Sequence, residues 1–105
     1  QVVDSSASAN YKPGDAVYGT VPPYVGTLSE YIQAPLDQVQ LKPKALSHSE
    51  AAAVPLVGLT CLQALVPYLQ PEEPSSILII GASGGTGHMA CQVAKCLGAT
   101  TIISV

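Results

Sequence analysis

The sequence predicts an α/β fold in which a β-rich part is followed by a β-α-β unit of a parallel sheet. Residues 11–39 hold short extended runs that Gly and Pro separate, as in β structure. The run Ile77-Leu78-Ile79-Ile80 is wholly apolar, which is typical of a strand buried on both faces of a parallel sheet. A glycine-rich loop, a helical pattern and a second apolar run follow it directly. This order of elements indicates the β-α-β unit.

Within the β-rich part, two extended runs and two turns are predicted. The runs are Asp15–Tyr18 and Leu28–Ala34, and the turns lie at Pro13-Gly14 and Pro22-Pro23. We place the boundary of this part between Val39 and Ser47, which gives domains 1–45 and 46–105.

Two short helices are predicted next. Ser47 and Glu50 have the S-x-x-E spacing of a capping box, so a helix begins there, and Pro55 ends it. A second helical pattern covers residues 56–69 and stops at the loop 71–74. Its apolar residues fall on one side, which we expect to be buried: Leu59, Leu62, Leu65, Val66 and Leu69.

A membrane span is the alternative interpretation of residues 51–69, which carry no charge and approach the roughly 20 apolar residues that cross a bilayer. Prolines and polar residues interrupt the stretch, and no lysine or arginine cluster flanks it. The pair of short helices is therefore favoured.

The β-α-β unit itself is predicted from a strand at 77–80, a helix at Thr86–Leu97 and a strand at Thr100–Val105. Gly98 follows the helical pattern directly and is expected to cap the helix at its C-terminus.

Composition points to burial and to a small-molecule partner. The 105 residues are 48% apolar and 10% charged, where an average soluble domain carries about 25% charged residues. We therefore expect the chain to be a segment of a larger protein. The net charge is −3 and the four lysines form no basic stripe, which argues against nucleic acid and anionic membranes as partners.

The three cysteines are predicted to be free core residues. Their odd number and apolar surroundings give no disulfide framework, and they favour a reducing compartment such as the cytoplasm. Cys91 and Cys96 are five residues apart, which on a helix does not bring two thiolates onto one face for a metal. We expect no metal site.

The loop from Gly81 to Gly87 carries the chemistry. Its glycines would permit a sharp turn at 81, let the backbone approach phosphates at 84 and 85, and let the helix pack closely at 87. Backbone N–H groups at the helix start, with the Ser83 and Thr86 hydroxyls, would then bind a dinucleotide pyrophosphate. A P-loop is excluded because Thr86 and Gly87 replace its last Gly and its Lys. The alternative is a merely structural glycine-rich connection.

Four segments in order resemble the medium-chain dehydrogenase/reductase superfamily, in particular its zinc-independent quinone oxidoreductases and enoyl reductases. Residues 11–19 are similar to its F-K-x-G-D-x-V-x-G segment, and 26–31 to G-x-x-A-E-Y. Residues 46–65 match L-S-x-x-E-A-A-A-x-P-x-x-G-x-T-x-x-x-A-L, and 82–87 resemble A-x-G-G-V-G with Thr86 for the usual Val.

The resemblance implies the later part of a GroES-like β lobe, followed by linking helices and the first β-α-β unit of an incomplete Rossmann domain. It implies NADPH as cofactor, a quinone or an α,β-unsaturated carbonyl compound as hydride acceptor, and a homodimer as the assembly. Thr60 falls where the family's helix borders the nicotinamide; the equal alternative is a helix-interior Thr bonded to a backbone carbonyl. The catalytic residues stay unknown.

The resemblance also separates this chain from the zinc alcohol dehydrogenases. That branch inserts a four-cysteine lobe after the G-D-x-V strand, whereas no cysteine lies between Gly19 and Tyr31.

His88 lies in the first turn of the helix predicted at Thr86–Leu97. Its side chain could contact a phosphate, but a solvent-facing side chain is favoured.

Two functions from different classes stay open. One is an NADPH-dependent oxidoreductase, in which the cofactor supplies the hydride chemistry and no acid–base dyad is needed in this segment. The other is a truncated or nucleotide-binding relative without turnover.

Overall fold

The computed structural model describes residues 2, 10–69 and 75–105, which divide into two compact units, 1–55 and 56–105. The predicted loop at 71–74 lies outside the described residues. The predicted domain boundary after residue 45 stays a prediction.

The first unit is built on a small antiparallel ribbon. Strand β1, Val17–Gly19, pairs with β2, Val39–Leu41, so that Val17 lies opposite Leu41. The 3-10 turn Leu36–Gln38 leads directly into β2. Gly19 allows the close approach of the two strands, because a β-carbon there would lie 2.9 Å from the Val39 α-carbon.

Both predicted turns of this unit are present. At Pro13-Gly14 the chain reverses with φ +96° at Gly14 and a 3.0 Å bond from Asp15 N–H to Lys12 O. At Pro22-Pro23 the Val25 N–H donates to Pro22 O over 3.2 Å. Tyr24 takes the position of positive φ, +69°, which usually goes to Gly.

The strand predicted at 28–34 is wrong. These residues are irregular, and Leu28 and Tyr31 are exposed. An apolar extended run becomes a strand only where another strand accepts and donates its backbone hydrogen bonds, and none does so among the described residues.

The two predicted helices are present on either side of Val54. Helix α1, His48–Ala53, begins with the expected capping box: Ser47 N–H donates to the Glu50 carboxylate over 2.8 Å, and Glu50 N–H donates to Ser47 Oγ over 3.2 Å. Helix α2, Pro55–Leu65, has Pro55 as its first residue, where a missing N–H costs nothing. No helix in the described part of the chain is long and apolar enough to cross a membrane.

The face of α2 predicted to be buried is only partly correct. Leu59, Leu62 and Val66 are exposed, while Gly58 and Cys61 are buried and Leu65 is half-buried. The buried positions of α2 are therefore Pro55, Gly58 and Cys61, which are spaced three residues apart. The helix also ends at Leu65, four residues before the predicted end.

The second unit contains the predicted parallel pair, which confirms the α/β fold. Strands β3, Ser76–Ile79, and β4, Thr101–Ser104, lie parallel with Ile77 opposite Ile102, and helix α3, Gly85–Cys96, connects them. Its core holds Leu69, Ile79 and Ala94, with Leu65, Ile77, Ala90, Leu97 and Ile102 packed around them.

Only one face of this sheet is covered among the described residues. The side chains of Ile77 and Ile79 belong to the core that α3 closes, whereas Leu78 and Ile103 are 58% and 54% exposed. The sequence predicts strands buried on both faces of the sheet, and the described residues bury one face.

The connection from α3 to β4 is tightly defined. Gly98 has φ +89° and donates to Lys95 O over 3.1 Å, and Ala99 N–H donates to Ala94 O over 3.0 Å. This pair of bonds is a Schellman motif and confirms Gly98 as the C-terminal cap. Immediately afterwards, Thr100 donates to Ser75 O from both its N–H, at 2.9 Å, and its hydroxyl, at 2.8 Å.

Candidate functional site

The glycine-rich loop, residues 81–87, leaves the end of β3 in a sharp turn. Gly81 has φ +80°, in the region that favours glycine. The N–H groups of Gly81 and Ala82 both donate to Val105 O, at 2.8 and 2.9 Å. The start of the loop is therefore fastened to Val105, the residue that follows β4.

Gly87 provides the close contact between α3 and the loop. A β-carbon on residue 87 would lie 2.7 Å from the Ala82 α-carbon and would collide with the Gly81 carbonyl. Helix α3 can start at this depth only with glycine there, which agrees with the packing role expected from the sequence.

Gly84 and Gly85 have a different environment. Neither has a positive φ, and a β-carbon on Gly85 would have no neighbour within 4 Å. On Gly84 it would meet only the Gly81 carbonyl, at 3.4 Å. The chain's own packing thus does not require glycine at 85, so a backbone left bare at this point fits the approach of a ligand.

The N-terminus of α3 lies open behind these glycines. Gly84 is the N-cap and offers no side-chain acceptor, and the helical hydrogen bonds begin with His88 N–H to Gly84 O at 2.8 Å. The N–H groups ahead of His88 have no partner within the helix. With the dipole of a 12-residue helix, they form a site suited to an anion such as a pyrophosphate.

Two hydroxyl groups flank this helix start. Ser83 and Thr86 are both exposed, and no group in the described ranges receives a hydrogen bond from either hydroxyl. The loop therefore brings together five of the six predicted cofactor-binding residues: Ser83, Gly84, Gly85, Thr86 and Gly87. Their contact with a cofactor stays a prediction.

Thr60, the sixth, lies on α2. Its hydroxyl donates to Leu56 O over 2.9 Å, which is the backbone bond of a helix-interior threonine. The side chain is nevertheless exposed. Its role beside a nicotinamide stays a prediction.

Sequence reasoning missed Cys61, the residue after Thr60. Its thiol lies 3.3 Å from Thr86 O and donates to it, joining α2 to the first turn of α3. The side chain is 2% exposed, and burial raises the pKa of the thiol. The available clue was the spacing: Gly58 and Cys61 are three residues apart, and both lie on the buried side of α2.

The remaining sulfur and imidazole groups form no site of their own. All three cysteines are free, but only Cys61 is buried; Cys91 is half-buried and Cys96 is exposed, so the prediction of a core position is wrong for Cys96, which lies at the end of α3. The His88 ring is exposed, with the Gln92 side-chain nitrogen 3.4 Å from each ring nitrogen. Within the ranges that the structure describes, no three His, Cys, Asp or Glu residues are grouped to hold a metal ion.

Comparison with curated proteins finds relatives over most of the chain, although no family model matches. The sequence is 44% identical over 90 residues to the human mitochondrial NAD(P)H oxidoreductase RTN4IP1, covering 81% of this chain and 23% of the relative. It is 40% identical over 91 residues to the 2-methylene-furan-3-one reductase of Solanum lycopersicum, covering 80% and 23%. The chain thus spans about a quarter of the length of these relatives.

Solved structures give the same relationship. An alcohol dehydrogenase superfamily protein from Novosphingobium aromaticivorans superposes with a TM-score of 0.83 at 31% identity, over 92% of this chain and 30% of that one. The quinone oxidoreductase from Coxiella burnetii superposes with a TM-score of 0.78 at 36% identity, over 94% and 31%.

Proposed function

The chain belongs to the medium-chain dehydrogenase/reductase superfamily, and we propose that it carries the pyrophosphate-binding loop of an NAD(P)H-dependent oxidoreductase. The observation that carries this proposal is Gly85, a glycine that the fold does not require, at the uncapped start of α3. Backbone N–H groups there would hold the two phosphates, and the Ser83 and Thr86 hydroxyls would add donors.

We further propose that residues 1–45 are the later part of a GroES-like lobe and residues 46–105 the linking helices and first β-α-β unit of a Rossmann domain. The antiparallel β1–β2 ribbon and the parallel β3–β4 pair joined by α3 support this division.

The proposed cofactor is NADPH, which supplies a hydride when bound. The chain's own residues would bind and orient it: the loop at the pyrophosphate, and Thr60 beside the nicotinamide. The proposed acceptor is a quinone or an α,β-unsaturated carbonyl compound. Support comes from one structural neighbour that is a quinone oxidoreductase and one relative that is a 2-methylene-furan-3-one reductase.

Substitution of Gly85 tests the site. In the full-length protein, we expect Gly85→Val to abolish NADPH binding in a calorimetric titration, because the side chain would occupy the space that the pyrophosphate needs. The matched control is Gly26→Val, since Gly26 also has no neighbour within 4 Å of a β-carbon and no positive φ. Unchanged affinity in Gly85→Val would refute the assignment.

Turnover separates the two classes of function. NADPH or NADH oxidation with quinones and with conjugated enones should be measured beside the binding titration, with both cofactors. Binding with turnover supports the oxidoreductase, and binding without turnover supports the noncatalytic relative.

The remaining proposals concern the setting of the protein. We propose a small-molecule substrate, no nucleic-acid or membrane partner, and a homodimer, which sedimentation of the full-length protein tests. A cytoplasmic location is proposed from the three free cysteines, whereas the RTN4IP1 relatives are mitochondrial. Imaging of the tagged full-length protein decides between these compartments.

A further inference from the structure

The thiol of Cys61 reaches from α2 to the loop that we propose as the cofactor site. Its sulfur lies 3.3 Å from the carbonyl oxygen of Thr86, a residue 25 positions later in the chain. Thr86 lies in the first turn of α3, between Gly85 and Gly87. The contact therefore acts on the backbone whose N–H groups would meet the pyrophosphate.

Besides this bond, backbone contacts support the start of α3: Gly84 N–H donates to Gly81 O over 3.1 Å, and Gly87 packs closely on Gly81 and Ala82. Gly81 and Ala82 are held at Val105 O, but that bond pair fixes only the start of the loop. The N-cap, Gly84, has no side chain to hold the helix end, and glycines have more backbone freedom to lose than other residues. Among the described residues, Cys61 makes the one side-chain hydrogen bond onto residues 81–87.

The chemistry of Cys61 suits this task. Because the side chain is 2% exposed and burial raises the pKa of its thiol, it keeps its proton at neutral pH and stays a donor. An alanine would fit the same face of α2 but could not donate. The neighbouring Thr60 is carried on the same helix, so the bond also fixes the spacing between the two predicted parts of the cofactor site.

We propose that Cys61 is a positioning residue, which holds the first turn of α3 through Thr86 O and thereby sets the affinity of the loop for the cofactor's pyrophosphate. This rests on the function proposed above, because it presumes that the loop binds the cofactor.

The test compares three variants of the full-length protein by titration with ADP-ribose, which has the pyrophosphate but no nicotinamide. We expect Cys61→Ala to weaken ADP-ribose binding by about threefold to tenfold, the loss expected for one modest hydrogen bond. Cys61→Ser, which keeps a donor, should recover most of the affinity. The KM for NADPH should rise in Cys61→Ala with a smaller change in kcat.

Cys91→Ala is the matched control. Cys91 is a half-buried cysteine that packs against the core of the second unit. Its change to alanine also removes one packed sulfur atom, but it removes no hydrogen bond to the loop. Its ADP-ribose affinity should equal that of the wild type.

The outcomes separate this proposal from the function on which it rests. Wild-type affinity in Cys61→Ala, or an equal loss in Cys91→Ala, overturns the positioning role while the cofactor site stands. A wild type that does not bind ADP-ribose overturns the proposed function and the positioning role with it.

If Cys61→Ala does not fold, infrared spectroscopy of the Cys61 thiol takes the place of the Cys61→Ala titration. The S–H stretching band of Cys61 is assigned from the difference between the spectra of the wild type and Cys61→Ser. A band at the frequency of a free thiol overturns the proposal, and a lowered frequency that shifts on ADP-ribose addition supports it.

Discussion

Gly87 packs directly over the carbonyl of Gly81, so that the first turn of α3 rests on the start of the loop that follows β3. The space for a side chain at 87 is already filled by backbone atoms, with the Ala82 α-carbon 2.7 Å from the position of a β-carbon. Backbone atoms cannot move aside as a flexible side chain can. The depth at which α3 meets the sheet is therefore set at this one position.

Gly87→Ala is expected to destabilise the protein by about 1–3 kcal/mol, the usual cost of forcing extra volume into a packed position. Gly85→Ala is the control, because it has open space and should change stability by less than about 1 kcal/mol. Urea unfolding of both variants measures the difference. Equal stability of the two would contradict the packing role of Gly87.

Gly98→Ala should cost about 1–2 kcal/mol, because residue 98 has φ +89° and L-residues with a β-carbon avoid that region. Gly98→Asn should cost less, since Asn tolerates the left-handed region better. Thermal unfolding of the two variants beside the wild type tests this order. If Ala were tolerated as well as Asn, the Schellman motif would not require the conformation seen here.

The capping box of α1 should make stability depend on pH. The backbone N–H and the hydroxyl of Ser47 donate to the Glu50 carboxylate and hold the pKa of Glu50 below its ordinary value. A lowered folded-state pKa means that this stabilisation is complete above the unfolded-state pKa and is lost as the pH falls through the folded-state value. Unfolding free energy measured from neutral pH downward should therefore fall less in Glu50→Gln than in the wild type. Identical pH profiles would contradict the prediction.

The bare face of the β3–β4 sheet predicts association of residues 1–105 when they are expressed alone. Leu78 and Ile103 are both more than half exposed. Burial of such apolar surface contributes a favourable free energy of about 25 cal/mol per Å², which favours association. Changing both residues to Lys should reduce association in sedimentation velocity, whereas Leu28→Lys, on the other unit, should not. We expect no hydride transfer from this 105-residue piece. A wild-type monomer with cooperative unfolding and turnover would contradict the prediction.

The full-length protein is expected to need no zinc. The resemblance is to the zinc-independent branch, and the residues between Gly19 and Tyr31 include no cysteine. Elemental analysis should find no stoichiometric zinc. Loss of activity on chelation with recovery on zinc addition would be the contrary result.

Local chemistry decided which elements the sequence could predict. The capping box at Ser47, the break at Pro55 and the cap at Gly98 each depend on residues within four positions of one another, and all three are present. The strand at 28–34 failed because strand formation depends on a distant partner, which local pattern does not reveal.

In the candidate site, too, features that depend on neighbouring residues were predicted, and a contact between distant residues was not. The open space at Gly85 and the turn at Gly81 follow from the glycine spacing and the helix that comes next. The contact between Cys61 and Thr86 joins residues 25 positions apart, and it depends on Gly58 and Cys61, rather than the leucines, facing inward. Apolar periodicity favours large side chains as the inner face, so it correctly included Leu65 and Leu69 but missed Gly58 and Cys61.

The carbonyl of Ser75 receives three donors from the start of β4: both donors of Thr100 and the N–H of Thr101 at 3.2 Å. These bonds restrict which insertions and deletions the segment tolerates. One added residue between Gly98 and Thr100 would either break all three bonds or shift β4 by one position and turn Ile102 from the core toward solvent. Changes in chain length during evolution should therefore avoid this connection and collect in segments that carry no such register bond.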